Sequence, residues 1–530
     1  MAVASLKFAR QPNLHLLSTP FQCLRMVVPK SVVAFDADAA TTTEKCSGSI
    51  PEEVDKKGPE WKRVDSKELG IHNSMIGGTV KKVLNGLKKK GYDVYLVGGC
   101  VRDLILKETP KDFNVITSAE LKQVMRIFSW CEITGKRSPT CHIHMDGTVV
   151  EVSSFNTARC EVGMEFDHHI EALNGCDEKD HQRWMNCINQ DFTINGLMLD
   201  PYARIVYDYT GGIEDIQKAK VRTIIPGDTS FQEDYARILR AIRIAAHLGF
   251  SVSKETAHFI KSLSSSVLRL DKDRLLMEIN YMLAYGFGEA SLRLLWKFGL
   301  LDILLPFQAA YFAHHGFQRL DKRTNMLLSL FSNLDKLLAP NLPCHSSLWV
   351  GILALHKTLS DRPRDPLVVA SFSLAVHNGG NLLEAVNIAR MISNPHYVRF
   401  PELLDPSGLD AKALEDETLE LAESIQGTLL QMTDQYFVSK ALADYPQAPH
   451  SDLVIIPLGL YRKTFSIFGC VKRSADKKFL SKQDRNIDYE SLAHGNLQET
   501  RHVFARIVFD TIYPLHQDQT SLIREKCSLK

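Results

Sequence analysis

The amino-acid sequence predicts an α+β fold whose strands are concentrated in the first half of the chain. After a helical pattern at Ser74–Lys90, the apolar runs Tyr95–Val97 and Phe113–Ile116 have the length of buried strands, and residues 148–155 alternate like a half-exposed strand. From residue 230 onwards, apolar residues recur every three or four positions, which indicates helices. The chain has 530 residues, enough to bury more than one core.

The overall composition limits the classes of protein to which the chain can belong. Its formal net charge is +1, so a surface that binds nucleic acid must be a local basic patch. The eleven cysteines form no C-x-x-C pair, which argues against a disulfide framework or a structural zinc site and favours a reducing compartment. No run approaches the roughly eighteen apolar residues of a membrane helix, so we expect no membrane partner.

The N-terminal segment has the composition of a targeting sequence. It contains basic and hydroxyl-bearing side chains and no acidic residue before Asp36. This is typical of a transit peptide for a plastid or a mitochondrion, and the alternative is a disordered tail of a cytoplasmic or nuclear protein. The polar stretch that follows, to about residue 60, is predicted to be an unstructured linker.

A glycine pair follows the first predicted strand. Gly98 and Gly99 permit backbone angles and close approaches that a side chain would block. A short helical pattern follows, and the unpaired amide groups at the start of a helix favour phosphate. Arg102 could add a forked set of donors to the same anion. A glycine pair taken alone would also suit an ordinary connection between a strand and a helix.

Two oxygen-bearing side chains on the second predicted strand suit a metal pair, and a glutamate lies on a later predicted strand. Asp112 and Asn114 are two residues apart, so both side chains would leave the same face of a strand. Glu151 lies between valines, where a carboxylate is costly unless it is paired or binds a cation. Oxygens two residues apart on a strand, as at residues 112 and 114, can hold the cations that align phosphoryl transfer. The alternative for Glu151 is an outward-facing strand glutamate.

This segment resembles the head of the class II nucleotidyltransferases, the family of bacterial poly(A) polymerases and CCA-adding tRNA nucleotidyltransferases. The family motif, LVGGxVRD and then an Asp-x-Asp strand, is matched here by Gly98, Gly99, Val101, Arg102, Asp103 and Asp112. The resemblance implies that Asp112 and Glu151 bind Mg²⁺, with the glycines, Arg102 and Asp103 holding the triphosphate of ATP. Asn114 replaces the second aspartate, and we expect reduced activity because an amide lacks the carboxylate charge.

Two further motifs extend the resemblance in the family's order. The Asp-Phe-Thr-x-Asn motif and the later Asp-x-x-Gly-Gly motif are matched by Asp191, Phe192, Thr193, Asn195, Asp208, Gly211 and Gly212. The resemblance implies that Asp191 and Asn195 help to hold the incoming nucleotide. Two arginines that precede this aspartate in the family are Asn189 and Gln190 here, which predicts a weaker contact with triphosphate or ribose.

The segment that begins at Ser230 is predicted to be one helix that carries a Glu-Asp-x-x-Arg motif. Asp234 and Arg237 are three residues apart and would share a helix face. The resemblance implies that this pair reads the base edge of the incoming nucleotide. Two structural alternatives remain, a salt bridge between Asp234 and Arg237 and a capping box formed by Ser230 with Glu233.

Two histidine pairs could be mistaken for metal ligands. These are His142 with His144 and His168 with His169. No cysteine or carboxylate completes either pair at the spacing of a zinc site. We therefore predict that all four are solvated or packing residues.

The last third of the chain matches no further motif. Its apolar spacing stays helical, with predicted breaks at Asp361–Pro366 and Tyr445–His450. Between Tyr461 and Arg485, eight basic residues are interleaved with four aromatic residues. Such a pattern can follow an RNA backbone and stack its bases, and a solvated helix face would look the same.

Composition, helical spacing and the resemblance together divide the chain into four regions, and the resemblance implies an RNA-directed activity. The regions are a transit peptide with its linker at 1–60, a mixed-sheet nucleotidyltransferase head at 61–229, a helical neck that binds nucleotide and RNA at 230–325, and a helical body and tail at 326–530. We expect AMP transfer from ATP, with Mg²⁺, to RNA 3′ ends of mRNA or possibly tRNA. Gly135, Lys136 and Arg137 resemble a segment typical of the poly(A) branch. The alternatives are CCA addition to tRNA and an inactive RNA-binding homologue.

Overall fold

The computed structural model describes residues 61–135, 139–155, 178–392, 396, 400–443, 456–471, 479–482 and 484–514. Within this part of the chain the predicted α+β class is confirmed, because a mixed sheet comes first and helices dominate from residue 227 onwards. The predictions made for residues 1–60, for Lys136 and Arg137, for His168 and His169, and for the break at Tyr445–His450 lie outside the described residues.

Eight strands form the sheet of the head. They are β1 Lys62–Asp65, β2 Val94–Val97, β3 Asn114–Thr117, β4 Cys131–Thr134, β5 Thr140–Met145, β6 Thr148–Ser154, β7 Leu197–Asp200 and β8 Ile205–Asp208. The strand order is β1-β8-β7-β2-β3-β6-β5-β4, and within this sheet only β3 and β6 run parallel. All four residues of β2 are buried, so the strand that precedes the glycine pair lies at the centre of the sheet.

Short helices flank this sheet. They are α1 Gly78–Lys89, α2 Gly99–Ile105, α3 Leu121–Ile127, α4 Glu178–Ile188 and α5 Gly212–Gln217. Helix α1 buries Val80, Val83, Leu84 and Leu87, which is the apolar face that the sequence predicted. The predicted start at Ser74 is wrong, because Asn73–Met75 forms a separate 3₁₀ turn and the helix begins only at Gly78.

The rest of the described chain is helical apart from a two-stranded parallel pair, β9 Lys220–Val221 with β10 Ser251–Val252. The helices are α6 Gly227–Glu233, α7 Ala236–Leu248, α8 Lys254–Ser262, α9 Lys272–Leu283, α10 Gly288–Lys297, α11 Leu301–Leu304, α12 Pro306–His314, α13 Met326–Leu337, α14 Ser346–Asp361, α15 Pro366–His377, α16 Leu382–Ala389, α17 Ala411–Gln431, α18 Gln435–Ala443, α19 Leu458–Phe468, α20 Tyr489–His494 and α21 Leu497–Ile512. The predicted break at Asp361–Pro366 is confirmed. Over the described residues, none of these helices has the length and apolarity needed to span a bilayer.

Two predictions about local structure are wrong. Asp112 does not lie on a strand with residue 114, because β3 begins at Asn114 and Asp112 occupies the bend before it. Ser230 does not cap a helix, because it is buried inside α6, which ends at Glu233 before Asp234 takes an extended conformation. The segment therefore forms two helices, where the apolar spacing predicted one.

The Asp-x-x-Gly-Gly motif organises the turn between β8 and α5. The buried carboxylate of Asp208 accepts hydrogen bonds from the amides of Gly211 and Gly212 at 2.8 and 2.9 Å, and from that of Ile213 at 2.9 Å. A Cβ atom at Gly212 would lie 2.2 Å from the carbonyl oxygen of Thr193, so only glycine lets the two segments touch. This motif thus packs the Asp-Phe-Thr segment against the sheet.

A buried arginine holds α4 against the sheet. The guanidinium of Arg183 donates hydrogen bonds to Asp180 at 2.6 Å and to the hydroxyls of Tyr95 and Tyr209 at 3.1 Å each. It also lies 4.5 Å from the ring centroid of Tyr207. Because Tyr95 belongs to β2, this cluster stabilises the strand that leads into the glycine pair.

Candidate active site

The glycine pair forms the predicted turn between β2 and α2. Gly98 has φ of +78° and ψ of −147°, a conformation that is essentially restricted to glycine. Helix α2 begins at Gly99, and in its first turns the helix carries Arg102 and Asp103. The strand, turn and helix predicted from the sequence are therefore confirmed at this position.

A cavity of about 610 Å³ opens beside this turn. Its wall includes six of the residues that the sequence singled out, namely Gly99, Arg102, Asp103, Asp112, Asn114 and Asn195. Other parts of the wall come from α7, from α9 and from the turn after α9. The cavity is thus shared between the sheet of the head and helices that follow it in sequence, and it is large enough for a ligand of nucleotide size.

A chain of hydrogen bonds links four of the predicted nucleotide-binding residues. The buried guanidinium of Arg102 donates to Asp103 Oδ1 at 2.7 and 2.9 Å and to Asn195 Oδ1 at 2.6 Å. Asn195 in turn donates to Asp191 Oδ1 at 2.8 Å, and Arg240 donates to Asp191 Oδ2 at 2.9 Å. Burial acts to raise the pKa of Asp191, but the charge and hydrogen bond of Arg240 outweigh it and hold that pKa below its ordinary value. Asp191 is therefore a carboxylate at neutral pH.

Asn114 and Glu151 lie side by side on the two parallel strands. They are register partners on β3 and β6, and both are exposed at this end of the sheet. On the other side of Glu151, its partner on β5 is His142, whose Nε2 lies 3.8 Å from Glu151 Oε1. Asn114, Glu151 and His142 therefore form a row across three strands. Glu151 and His142 are not in the wall of the cavity that Asp112 and Asn114 line.

The predicted metal ligands carry the oxygen donors that a magnesium site uses. Asp112 and Glu151 provide carboxylates, and Asn114 provides an amide oxygen on the strand next to that of Glu151. Mg²⁺ prefers such hard donors and commonly keeps several waters or phosphate oxygens in its shell. Within the described residues, no three histidine, cysteine, aspartate or glutamate side chains are grouped closely enough to hold a metal by themselves.

The structure separates Asp234 from Arg237. Asp234 lies between α6 and α7 and accepts a hydrogen bond from Arg274 Nη2 at 2.8 Å, whereas Arg237 donates to Glu233 at 2.7 Å and to the Ser230 hydroxyl at 3.0 Å. The predicted alternative of a salt bridge between Asp234 and Arg237 is therefore wrong. Neither Asp234 nor Arg237 is in the cavity wall. Burial raises the pKa of Asp191, Arg240 and Asn195 lower it, and the charge of Arg237 lowers it by a smaller amount.

Several wall residues were not predicted from the sequence. Arg240 and Arg243 follow Arg237 at intervals of three on α7, so the repeat itself was a signal that these cations share a helix side. Arg243 donates to the buried carboxylate of Glu278 at 2.9 Å. Lys111, Tyr281 and Tyr285 also line the cavity and were not predicted.

Lys111 lies against two aromatic rings of this wall. Its Nζ is 4.8 Å from the ring centroid of Tyr285 and 5.6 Å from that of Tyr281. The two rings are 5.2 Å apart and tilted by 42°. Burial raises the pKa of the Tyr285 hydroxyl, and the nearby charge of Asp112 adds to this effect. The bend that carries Lys111 and Asp112 therefore faces the aromatic pair.

Two family models match this chain. Residues 94–222 match the poly A polymerase head domain, and residues 249–312 match a probable RNA- and SrmB-binding site of polymerase A. The first match contains the glycine turn, both strands of the proposed metal site and the Asp191 segment. The second contains α8 to α11 and most of α12.

Curated relatives come from both branches of one enzyme family. Poly(A) polymerase I of Escherichia coli O157:H7 is 33% identical over 270 residues, which is 49% of this chain and 56% of that enzyme. The CCA-adding enzyme of Geobacillus stearothermophilus is 31% identical over 218 residues, covering 41% of this chain and 52% of that enzyme. The matches thus span about half the length of these relatives.

Two solved structures align with this chain at low identity. The Bacillus stearothermophilus CCA-adding enzyme in complex with CTP aligns with a TM-score of 0.41 and 21% identity, covering 74% of this chain and 92% of that one. A second structure, the Thermotoga maritima CCA-adding enzyme complexed with tRNA, aligns with a TM-score of 0.39 and 15% identity, covering 88% and 99%.

Proposed function

Since the chain belongs to the nucleotidyltransferase family of the bacterial poly(A) polymerases and CCA-adding enzymes, we propose that it adds AMP residues to RNA 3′ ends. The observation that supports this most is the shared cavity, which gathers the glycine turn, Arg102, Asp112, Asn114 and Asn195 in one wall. A triphosphate needs cationic donors, and its reacting phosphate needs nearby oxygens that hold a cation.

In this proposal each residue group has a separate task. Gly98, Gly99, Arg102 and Asp103 form the triphosphate side, while Asp112 and Glu151 hold Mg²⁺ with Asn114 beside them. When bound, the cation would neutralise charge that develops on the phosphoryl oxygens. The 3′-hydroxyl oxygen of the RNA forms a bond to the α-phosphorus of ATP, the bond to the β-phosphate bridging oxygen breaks, and pyrophosphate leaves. The hydroxyl proton is lost to solvent or to a nearby base.

Asp191 and Asn195 have a supporting task. Asn195 accepts a hydrogen bond from the Arg102 guanidinium, and Asp191 links Asn195 to Arg240. The motif that carries Asp234 and Arg237 begins the helix on which Arg240 lies. We assign base selection to Asp234 and Arg237, whose acceptor and donor groups can discriminate bases by hydrogen-bond pattern.

The CCA-adding relatives support a second candidate activity, the addition of CCA to tRNA. A primer-extension assay with each nucleotide triphosphate alone, and with CTP plus ATP on a tRNA that lacks its terminus, separates the two. The proposal predicts AMP incorporation on a generic RNA primer with little incorporation from CTP. Efficient addition of C to the tRNA would replace the poly(A) proposal by the CCA alternative.

Asn114 supports a third candidate, a homologue that binds RNA or nucleotide without catalysis. Its amide leaves the site one negative charge short of an Asp-x-Asp pair, which weakens cation binding. If no nucleotide is incorporated under any condition while RNA still binds in a filter-binding assay, this third candidate holds and the transferase proposal fails.

A further inference from the structure

The catalytic carboxylate proposed at Asp112 lies outside the sheet. The last pair between β2 and β3 is Val97 with Asn114, since β2 ends where Gly98 turns away. The bend that carries Asp112 therefore has no ladder partner on β2, and Asp112 is exposed. Because a carboxylate that binds a reacting complex must be held within a narrow range of positions, some other contact must fix this bend.

The contact that the structure provides is between Lys111 and an aromatic pair. The Lys111 ammonium lies over the rings of both Tyr281 and Tyr285, at 5.6 and 4.8 Å from their centroids. A cation over the face of an aromatic ring is attracted by the negative charge of that face. The residue next to Asp112 is thereby in contact with two side chains more than 150 residues away in sequence, which also line the cavity.

The aromatic pair is itself held firmly. Arg243 lies 5.1 Å from the Tyr281 ring centroid and is fixed by its hydrogen bond to the buried Glu278. The carbonyl of Ala284, next to Tyr285, accepts a hydrogen bond from the amide of Cys344 at 3.0 Å. The rings therefore offer Lys111 a surface whose position is set by α7, α9 and the segment before α14.

We propose that Lys111 is a positioning residue, which Tyr281 and Tyr285 hold so that Asp112 is fixed in the cavity. The inference rests on the proposed function, because it assigns Asp112 to that site. Lys111 acts through its neighbour and does not touch substrate. A direct contact of Lys111 with a phosphate of ATP or RNA is the competing explanation, and kinetics separates the two.

The test is a double-mutant cycle on the full chain, with K111M, Y285L and the double variant. Each single variant is expected to lower kcat about ten-fold with little change in KM for ATP or RNA, and the double variant to be no slower than the slower single one. The conservative variants K111R and Y285F should recover most of kcat, because they keep the cation and the ring. Additive losses, or a raised KM with unchanged kcat in K111M alone, would overturn the proposal.

The matched control is a cation and a ring that both belong to the head. Lys88 Nζ lies 5.7 Å from the ring centroid of the exposed Tyr202, and neither lines the cavity. K88M and Y202L should leave kcat within about two-fold. Losses as large as those at Lys111 and Tyr285 would show a general effect on the fold and would count against positioning.

A measurement independent of activity completes the test. Amide hydrogen exchange of residues 107–113 should become faster in K111M and in Y285L, and stay unchanged in Y202L. If the wild-type chain transfers no nucleotide but the exchange behaves in this way, the proposed function fails while the anchoring of the bend stands. If Y285L exchanges like wild type, the positioning proposal fails whatever the activity.

Discussion

At the scale of single residues, position 114 decides how well the proposed site binds a cation. Asn114 begins β3, lines the cavity and is the register partner of Glu151, so a carboxylate at this place would sit beside Glu151 and two residues from Asp112. Its amide oxygen can coordinate Mg²⁺ but brings no charge.

We predict that N114D raises kcat by about ten-fold or more, which corresponds to about 1.4 kcal/mol in the barrier. Restoring one negative charge should also lower the Mg²⁺ concentration required for half-maximal rate. The measurement is primer extension with ATP across a Mg²⁺ titration. N73D adds the same charge at an exposed position of the head and should change nothing. If the wild-type kcat already equals that of N114D, Asn114 does not reduce the rate of AMP transfer and this prediction is wrong.

Asp191 gives a prediction about stability and pH. Its pKa is lowered in the folded state, so its contribution to stability is present above the unfolded pKa of about 3.9 and disappears as pH falls through the lower folded pKa. We predict that D191N loses about 3 kcal/mol of unfolding free energy at pH 7, because Arg240 is left without its carboxylate.

Urea unfolding at several pH values checks this prediction. The gap between wild type and D191N should narrow as pH falls below about 4, since protonation removes the charge of Asp191 in wild type as well. D65N, which neutralises an exposed carboxylate, should be close to wild type at all these pH values. A gap that stays constant down to acid pH would mean that the ion pair with Arg240 does not stabilise the fold.

Single residues also show where sequence reasoning succeeds. The turn at Gly98 and the helix that carries Arg102 could be predicted because the glycine pair directly follows an apolar strand pattern, whereas Asp103 was named from the resemblance alone. Lys111 could not be identified, because its role depends on two tyrosines far along the chain. Nor could the sequence show that His142 would be the register partner of Glu151.

At the scale of helices and strands, two boundaries differ from the prediction for physical reasons. The apolar spacing continues across α6 and α7, so it gave no sign of the break at Asp234, where the extended backbone lets the carboxylate reach Arg274 on α9. β3 starts later than predicted because β2 has ended and offers no partner before Asn114.

The break at Asp234 leads to a prediction about base selection. Arg237 lies in the first turn of α7, and its donation to Glu233 and Ser230 fixes the side chain to which the proposal assigns base selection. We predict that R237A lowers the preference for ATP over CTP by about ten-fold or more, as expected for the loss of a hydrogen bond from a charged donor.

The ratio of kcat/KM for ATP to kcat/KM for CTP, measured in wild type and R237A, checks this prediction. The control is K254A, at an exposed position of α8, which should keep the wild-type ratio. An R237A variant that loses activity equally with both nucleotides would assign Arg237 to the stability of the helix junction and not to selection. If R237A keeps both the wild-type activity and the wild-type ratio, Arg237 has no role in nucleotide selection.

At the scale of the whole molecule, the sequence predicted the fold class but not the cavity. Strand and helix patterns are local, so a sheet followed by helices could be predicted from neighbouring residues. The cavity joins residues from Gly99 to Asn341, and no local pattern states which helix side will meet the glycine turn. The resemblance supplied that expectation for Arg102, Asp112 and Asn195, and the cavity brings these three together.

The most direct test of the central claim compares wild type with D112A in single-turnover extension of an RNA primer with ATP. The claim is that the carboxylate beside the glycine turn takes part in AMP transfer. We predict AMP addition by wild type and a loss of at least about 100-fold in D112A, with the two proteins unfolding at the same urea concentration. Equal rates in the two proteins, or no AMP addition by wild type, would contradict it.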